Sequence, residues 1–228
     1  MSVDLESHDS LSSVDLADDF VPRNRVLAAV HRVRHSDRFI FGAMLFSACL
    51  SLLASFVLAI DAVKLAADPG AILSCNINAS VSCGTVAEAW QAHLFGFPNA
   101  FLGLIAEPVV ITIAVASLGG VRFPRWFMLS AQVVYMLGLI FAYWLFTQSM
   151  FVIGALCPWS LLVTVSTTPV FASLTHVNIR DGNLPLPPKV QQWARGAIAA
   201  DIDAIGTAAW LTFLAAAILA KYGTALFA

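Results

Sequence analysis

Long apolar runs alternate with short polar breaks along the chain, and the runs set the elements. Phe39 to Ile60 carries no charge, which suits a helix of about 20 residues crossing the ~30 Å apolar layer of a bilayer. Similar runs predict further spans at about 98–118, 126–147 and 151–176. Pro98 fits a first helical turn, and Glu107-Pro108 interrupts the second span. The fourth has two candidate starts, a break before Phe151 or a helix beginning at Cys157 with Pro158 in its first turn. A charge-free, alanine-rich stretch from Ala204 to Ala220 predicts a fifth helix within 204–228, its small residues favouring close packing. No internal repeat and no extramembrane domain is visible. The fold class is an all-α membrane protein with five transmembrane helices.

The polar breaks differ in kind. Residues 1–38 read as an acidic, disordered tail followed by a basic segment with Arg23, Arg25, Arg32, Arg34 and Arg38. The longest break, 61–97, holds two cysteines. In it Thr85-Val86-Ala87-Glu88 has the capping-box pattern of a helix start. Trp90, Leu94, Phe95 and Phe97 then give that helix one apolar side, so a short helix lying in the interface and roofing the bundle is expected. Tyr143 and Trp144 are placed like an interfacial aromatic belt. Residues 179–203 form a linker, marked by Leu184-Pro185-Leu186-Pro187-Pro188.

Composition agrees with the runs. The 228 residues are 59% hydrophobic and 11% charged, with a mean hydropathy of +0.82, far from the roughly half apolar and quarter charged make-up of soluble domains. The first residues lack the apolar core of a cleavable signal peptide. A net charge of −2 says little about partners, and no nucleic acid is expected among them. The distribution of charge says more. Ten of the twelve Lys/Arg fall in the N-terminal segment, the 119–125 turn and the 179–203 linker, which alternation places on one side; Lys64 and Lys221 fall on the other. The positive-inside rule makes the first side, and the N-terminus, cytoplasmic. Cys75 and Cys83 are then extracytoplasmic, where dithiols can be oxidised.

Cys157 follows the third-to-fourth connection closely and so falls near the same face. Cys157 and Ser160 are three apart and share a side of a helix. A cysteine at 160 would complete a Cys-x-x-Cys exchange centre, with the helix N-terminus lowering the first thiol's pKa. Serine is similar in size but forms no disulfide. Cys49, in the middle of the first span, is expected to act as a small hydrophobe. Metal binding is the competing chemistry, with His93 as a further ligand. The Cys-x7-Cys spacing is no usual zinc pattern and lacks a His pair, so no metal is expected. Glu107 is an intramembrane carboxylate, either functional or protonated and satisfied inside the bundle.

Three stretches in this order, Cys75-Asn76-Ile77-Asn78 with Ser82-Cys83-Gly84, Phe97-Pro98-Asn99-Ala100-Phe101-Leu102-Gly103, and Cys157-Pro158-Trp159, resemble the vitamin K epoxide reductase family. The likeness covers about residues 39–178 and is greatest to bacterial, actinobacterial members. It implies a four-helix bundle around a quinone of menaquinone, ubiquinone or vitamin K type, plus an extra C-terminal helix. It implies that Cys75 faces a partner thiol protein, that Cys83 shuttles to Cys157, and that position 160 holds the thiol that reduces the quinone. Asn99 would hydrogen-bond a quinone carbonyl, cap a helix, or do both, and Phe101 or Leu102 would back it. Ser82, Ala87 and the roof aromatics are candidates for the pocket wall. Without a fused domain, the partner would be a separate thioredoxin-like (DsbA-like) protein outside an inner or plasma membrane, and the function would be disulfide-bond formation. Ser160 then implies impaired turnover, either as a Cys→Ser exchange that traps an intermediate, which the otherwise intact surroundings favour, or as a natural loss. It should strand a Cys83–Cys157 disulfide and leave Cys75 free. The alternatives are a DsbB-type quinone reductase, which carries its dithiols as pairs in two outer loops, and a tetraspan-like scaffold with the loop cysteines as a clip.

Overall fold

The computed structural model describes Arg34 and residues 36–223. The chain falls into two units, Met1–Ile40 and Phe41–Ala228. In the described part of the first, Ser36 Oγ accepts the Phe39 N–H at a helix start. The acidic and basic tail expected before it lies outside the described residues, apart from Arg34 and 36–38.

Among the described residues the α-helices are α1 (Asp37–Ala67), α2 (Cys83–Glu88), α3 (Ala100–Leu118), α4 (Arg125–Gln148), α5 (Pro158–Arg180), α6 (Pro188–Ala199) and α7 (Ile202–Tyr222). α1, α3, α4, α5 and α7 are long and apolar enough to cross a membrane. The chain is a multi-pass, all-helical membrane protein. α1 outlasts its apolar run: its 31 residues span roughly 46 Å at 1.5 Å per residue, beyond the ~30 Å apolar layer, and so carry Asp61 and Lys64 past it. The expected linker contains α6, which the proline-rich composition hid. Pro188 occupies its first turn, where a missing N–H costs nothing.

The bundle is packed with small and hydroxyl residues inside and large apolar ones outside. α1 buries Met44, Ser47, Ala48, Ser51 and Ser55 and exposes Phe46, Leu53 and Phe56. Lipid is as apolar as leucine, so helices associate through close contact of small residues rather than by burying large ones. At Gly103 of α3 a Cβ would stand 2.1 Å from Ser55 Oγ, so only glycine permits that approach. In α5 the hydroxyls of Thr164, Thr167, Thr168 and Thr175 donate to carbonyls four residues back in their own helix.

Buried polar groups join the helices. At the end where α4 starts and α5 finishes, Asn178 is fully buried. Its Nδ2 donates to Met128 O and Gln132 Oε1, and its Oδ1 accepts from Asn183 Nδ2. His176 Nδ1 lies 2.7 Å from Asp203 Oδ2, linking α5 to α7. Tyr143 is not a free belt residue: its hydroxyl meets Thr168 Oγ1 at 2.7 Å and accepts from Trp210 Nε1 at 2.8 Å. At the other end α4 runs into a π-helical turn, Ser149–Ile153, closed by Gly154 at φ +78°, a conformation glycine adopts without strain. Lys221 Nζ donates to the Met150 carbonyl of that turn. α5 then begins at Pro158 with Cys157 at its N-cap, so the second of the two expected starts is the one present.

Candidate active site

Two asparagines shape the loop ahead of α2. Asn78 Oδ1 accepts the N–H groups of Ser80 and Val81 at 2.9 and 2.8 Å, closing a turn. Asn76 Oδ1 accepts the Gly84 N–H at 2.9 Å and the Ser82 hydroxyl at 3.2 Å. Ser82 is the N-cap of α2, its extended backbone letting Oγ accept the Thr85 N–H at 3.2 Å. The helix therefore starts ahead of Thr85, the expected cap, and Glu88 ends it rather than closing a capping box. The roof is two short pieces, α2 and a 3-10 turn at Trp90–His93, instead of one helix.

Two backbone bonds then join this loop to the residues before α5. Ser82 N–H donates to Leu156 O at 3.1 Å, and Leu156 N–H donates to Ser80 O at 2.9 Å, a parallel bridge between Val81 and Leu156. The bridge delivers Cys157 to the loop. Its Sγ lies 2.9 Å from Cys83 Sγ, across 74 positions of sequence. Cys75 and Cys83 are joined as a disulfide with Cα atoms 5.6 Å apart, and all three sulfurs lie within 4.8 Å of one another. All three cysteines are buried, with Leu58, Val86 and Trp159 packed around them.

This pairing corrects the expected Cys83–Cys157 disulfide. The asparagine-built turn brings Cys75 and Cys83 to bonding distance, and the free thiol of the cluster is Cys157. Burial pushes that thiol up from its ordinary pKa, and the Asp61 charge adds to the effect. The Ser160 N–H and hydroxyl and the Trp159 N–H pull the other way without prevailing. The helix N-terminus expected to favour a thiolate is outweighed by desolvation. The sulfurs are close enough to share a metal ion, but a disulfide leaves one thiol donor, too few for a structural zinc. Cys49 is exposed on α1 and stands outside this cluster.

A cavity of about 220 Å³ opens beneath the sulfurs. Cys83, Cys157, Ser160, Ala87, Asn99 and Leu102 line it. Cys75, Ser82 and Phe101 do not: Ser82 is engaged as the cap, and Phe101 stacks on Phe97 at 6.4 Å. Asn99 occupies the N-cap position of α3 but makes no capping bond. Its Nδ2 donates to Gln91 O at 2.6 Å, and its Oδ1 is buried without a partner. Farther along α3, Glu107 also lines the cavity; its Oε1 accepts from Ser51 at 2.7 Å and from Tyr135 at 3.1 Å. The carboxyl is thus both satisfied locally and part of the cavity wall.

Asp61, Gln91 and Tyr135 escaped sequence reasoning as site residues. Asp61 is buried beside the cysteines; a lone acid ending an apolar run was the available signal. The buried Gln91 holds Asn99 through its carbonyl, eight residues away across the roof, and Tyr135 holds Glu107 across 28 positions of sequence. A family model described as "Vitamin K epoxide reductase family" matches residues 43–175, more than half of the chain. No curated protein matches it.

Proposed function

The chain belongs to the vitamin K epoxide reductase family of membrane redox enzymes, and from that premise we propose that it passes electrons from an extracytoplasmic thioredoxin-like (DsbA-like) protein to a membrane quinone, in support of disulfide formation. The observation that carries this reading is the contact of the loop disulfide with Cys157 at the cavity wall.

The partner's dithiol attacks the Cys75–Cys83 disulfide through a mixed disulfide, and electrons move inward by exchange among the clustered sulfurs. Asn99, Leu102 and Ala87 hold the quinone ring. Apolar walls with one unsatisfied amide suit a flat ring with polar edges, and 220 Å³, below the ~300–1,000 Å³ of usual ligand sites, suits the ring head without its tail. The quinone, when bound, supplies the two-electron acceptor chemistry. Ser82 acts by fixing the start of α2 and so the position of Cys83. Phe101 supports the roof through Phe97. The Lys/Arg distribution supports a cytoplasmic N-terminus and an extracytoplasmic cysteine end.

The test is quinol formation by the purified chain in lipid nanodiscs, with a reduced thioredoxin-like protein as donor and a naphthoquinone as acceptor. Turnover that disappears in Cys83→Ala supports the reading. Inertness of both the wild-type chain and Ser160→Cys, with the donor left reduced, would overturn it in favour of a scaffold.

A further inference from the structure

Serine at position 160 removes the thiol to which the family resemblance gives the last electron step, yet the sulfur cluster retains enough thiols for a two-electron transfer. Two of its three members, Cys83 and Cys157, line the cavity, while Cys75 does not. Those two sulfurs are 2.9 Å apart, and Cys75 is near enough to reach either, since all three lie within 4.8 Å. We propose that this chain runs a three-cysteine relay, in which the cavity-facing pair Cys83–Cys157 reduces the quinone and Cys75 resets it. The proposal rests on the quinone reading above and changes which thiols act.

The steps balance. A partner dithiol reduces the Cys75–Cys83 disulfide, giving three thiols on this chain and a disulfide on the partner. The Cys83 and Cys157 thiols then form a disulfide, and their two electrons and two protons pass to the quinone, which leaves as quinol. The Cys75 thiolate attacks Cys83 Sγ, the Cys83–Cys157 bond breaks, and Cys157 leaves as thiolate and takes up the proton that Cys75 released. The chain is then in the state seen here, with Cys75–Cys83 joined and Cys157 free. The Cys83–Cys157 disulfide is therefore a passing state, because the thiol that resolves it is Cys75 and not a residue at 160. Ser160 serves as a positioning residue: it lines the cavity beside Cys157, and its N–H and hydroxyl favour the charged form of that sulfur.

The experiment uses the full chain in nanodiscs, reduced, freed of reductant and exposed anaerobically to menadione, with alkylation and non-reducing peptide mapping as readout alongside quinone absorbance. Wild type should form the Cys75–Cys83 linkage, keep Cys157 open to alkylation and turn over continuously with a dithiol donor. Cys75→Ser should stop after a single quinol per chain with Cys83 joined to Cys157. Cys83→Ser and Cys157→Ser should each lose quinone reduction completely. Diamide, which links neighbouring thiols without a quinone, is applied to Cys75→Ser in parallel; failure to link Cys83 to Cys157 overturns the relay on geometric grounds. A linkage made by diamide but not by menadione overturns the relay's quinone step. Menadione reduction by Ser160→Cys but not by wild type overturns the relay and leaves the quinone reading standing. Inertness of both sinks the quinone reading together with the relay.

Discussion

Two asparagines, Asn178 fully buried and Asn99 half-buried, mark opposite ends of the bundle, and they are treated differently. Asn178 uses both amide atoms: it donates to Met128 O and Gln132 and accepts from Asn183. Asn99 donates to Gln91 O and leaves its oxygen buried with no partner. A buried polar atom without a hydrogen bond costs about 1–3 kcal/mol. One end of the molecule thus spends its polar groups on holding α4 and α5 together. The other keeps an unmet valence on a residue that lines the same cavity as Cys83 and Cys157. Both amide atoms of Asn178 are satisfied, and one of Asn99's is not.

The contrast can be broken or sharpened by substitution. The largest stability effect is expected for Asn178→Ala, which strands the Met128 carbonyl, Gln132 and Asn183 together; a loss of about 3 kcal/mol should appear as a lowered Tm in detergent. Gly103→Ala tests sterics at the cavity end. With a Cβ 2.1 Å from Ser55 Oγ, α1 and α3 must separate, at about 1–3 kcal/mol for overpacking, read from the same melting curve. Asn99→Ala should leave stability within about 1 kcal/mol of wild type, since a single neutral bond is lost. It should raise the quinone KM about tenfold, the equivalent of about 1.4 kcal/mol. An Asn99→Ala chain that melts as early as Asn178→Ala would erase the distinction between the two ends.

The smallest effect concerns Asp61. The Cys157 thiol titrates above its ordinary value, chiefly through burial, with the Asp61 charge as the least of the causes. Only the thiolate is alkylated, so with the loop disulfide intact the rate at Cys157 should climb as pH rises through and beyond the usual thiol range. Asp61→Asn removes a negative charge that opposes the thiolate, so the profile should move modestly to lower pH. A profile unchanged in that variant would show that Asp61 does not act on the sulfur.

Much of this was legible in the sequence, for identifiable reasons. Apolar runs, uncharged apart from Glu107 in the second, located the five spans, because a bilayer imposes a length and penalises charge. Alternation of sides, with the Lys/Arg bias, brought Cys75, Cys83 and Cys157 to one end before any contact was known. The roof was harder to read. Ser82 and Thr85 are both capping types, and only the Asn76 contacts with Ser82 and Gly84 decide between them. α6 was missed because prolines that start a helix resemble those of a linker. The disulfide state was misjudged because attention to Ser160 overlooked a turn that joins Cys75 to Cys83 unaided. The role of Tyr135 rests on a contact 28 positions away, and that of Gln91 on a backbone carbonyl whose direction only the folded roof sets; no side-chain pattern reports either.

The Val81–Leu156 bridge also constrains how the gene can change. Strand side chains alternate with a period of two, so inserting or deleting one residue between Ser80 and Cys83, or inserting one between Leu156 and Cys157, would slip the register and turn a sulfur away from its neighbour. The stretch from Asp68 to Ile72, ahead of the buried Leu73 that packs on the cysteines, lies outside the bridge and carries no such limit. Length variation in this loop should therefore gather before Cys75, while the spacing from Ser80 to Cys83 and from Leu156 to Cys157 stays fixed.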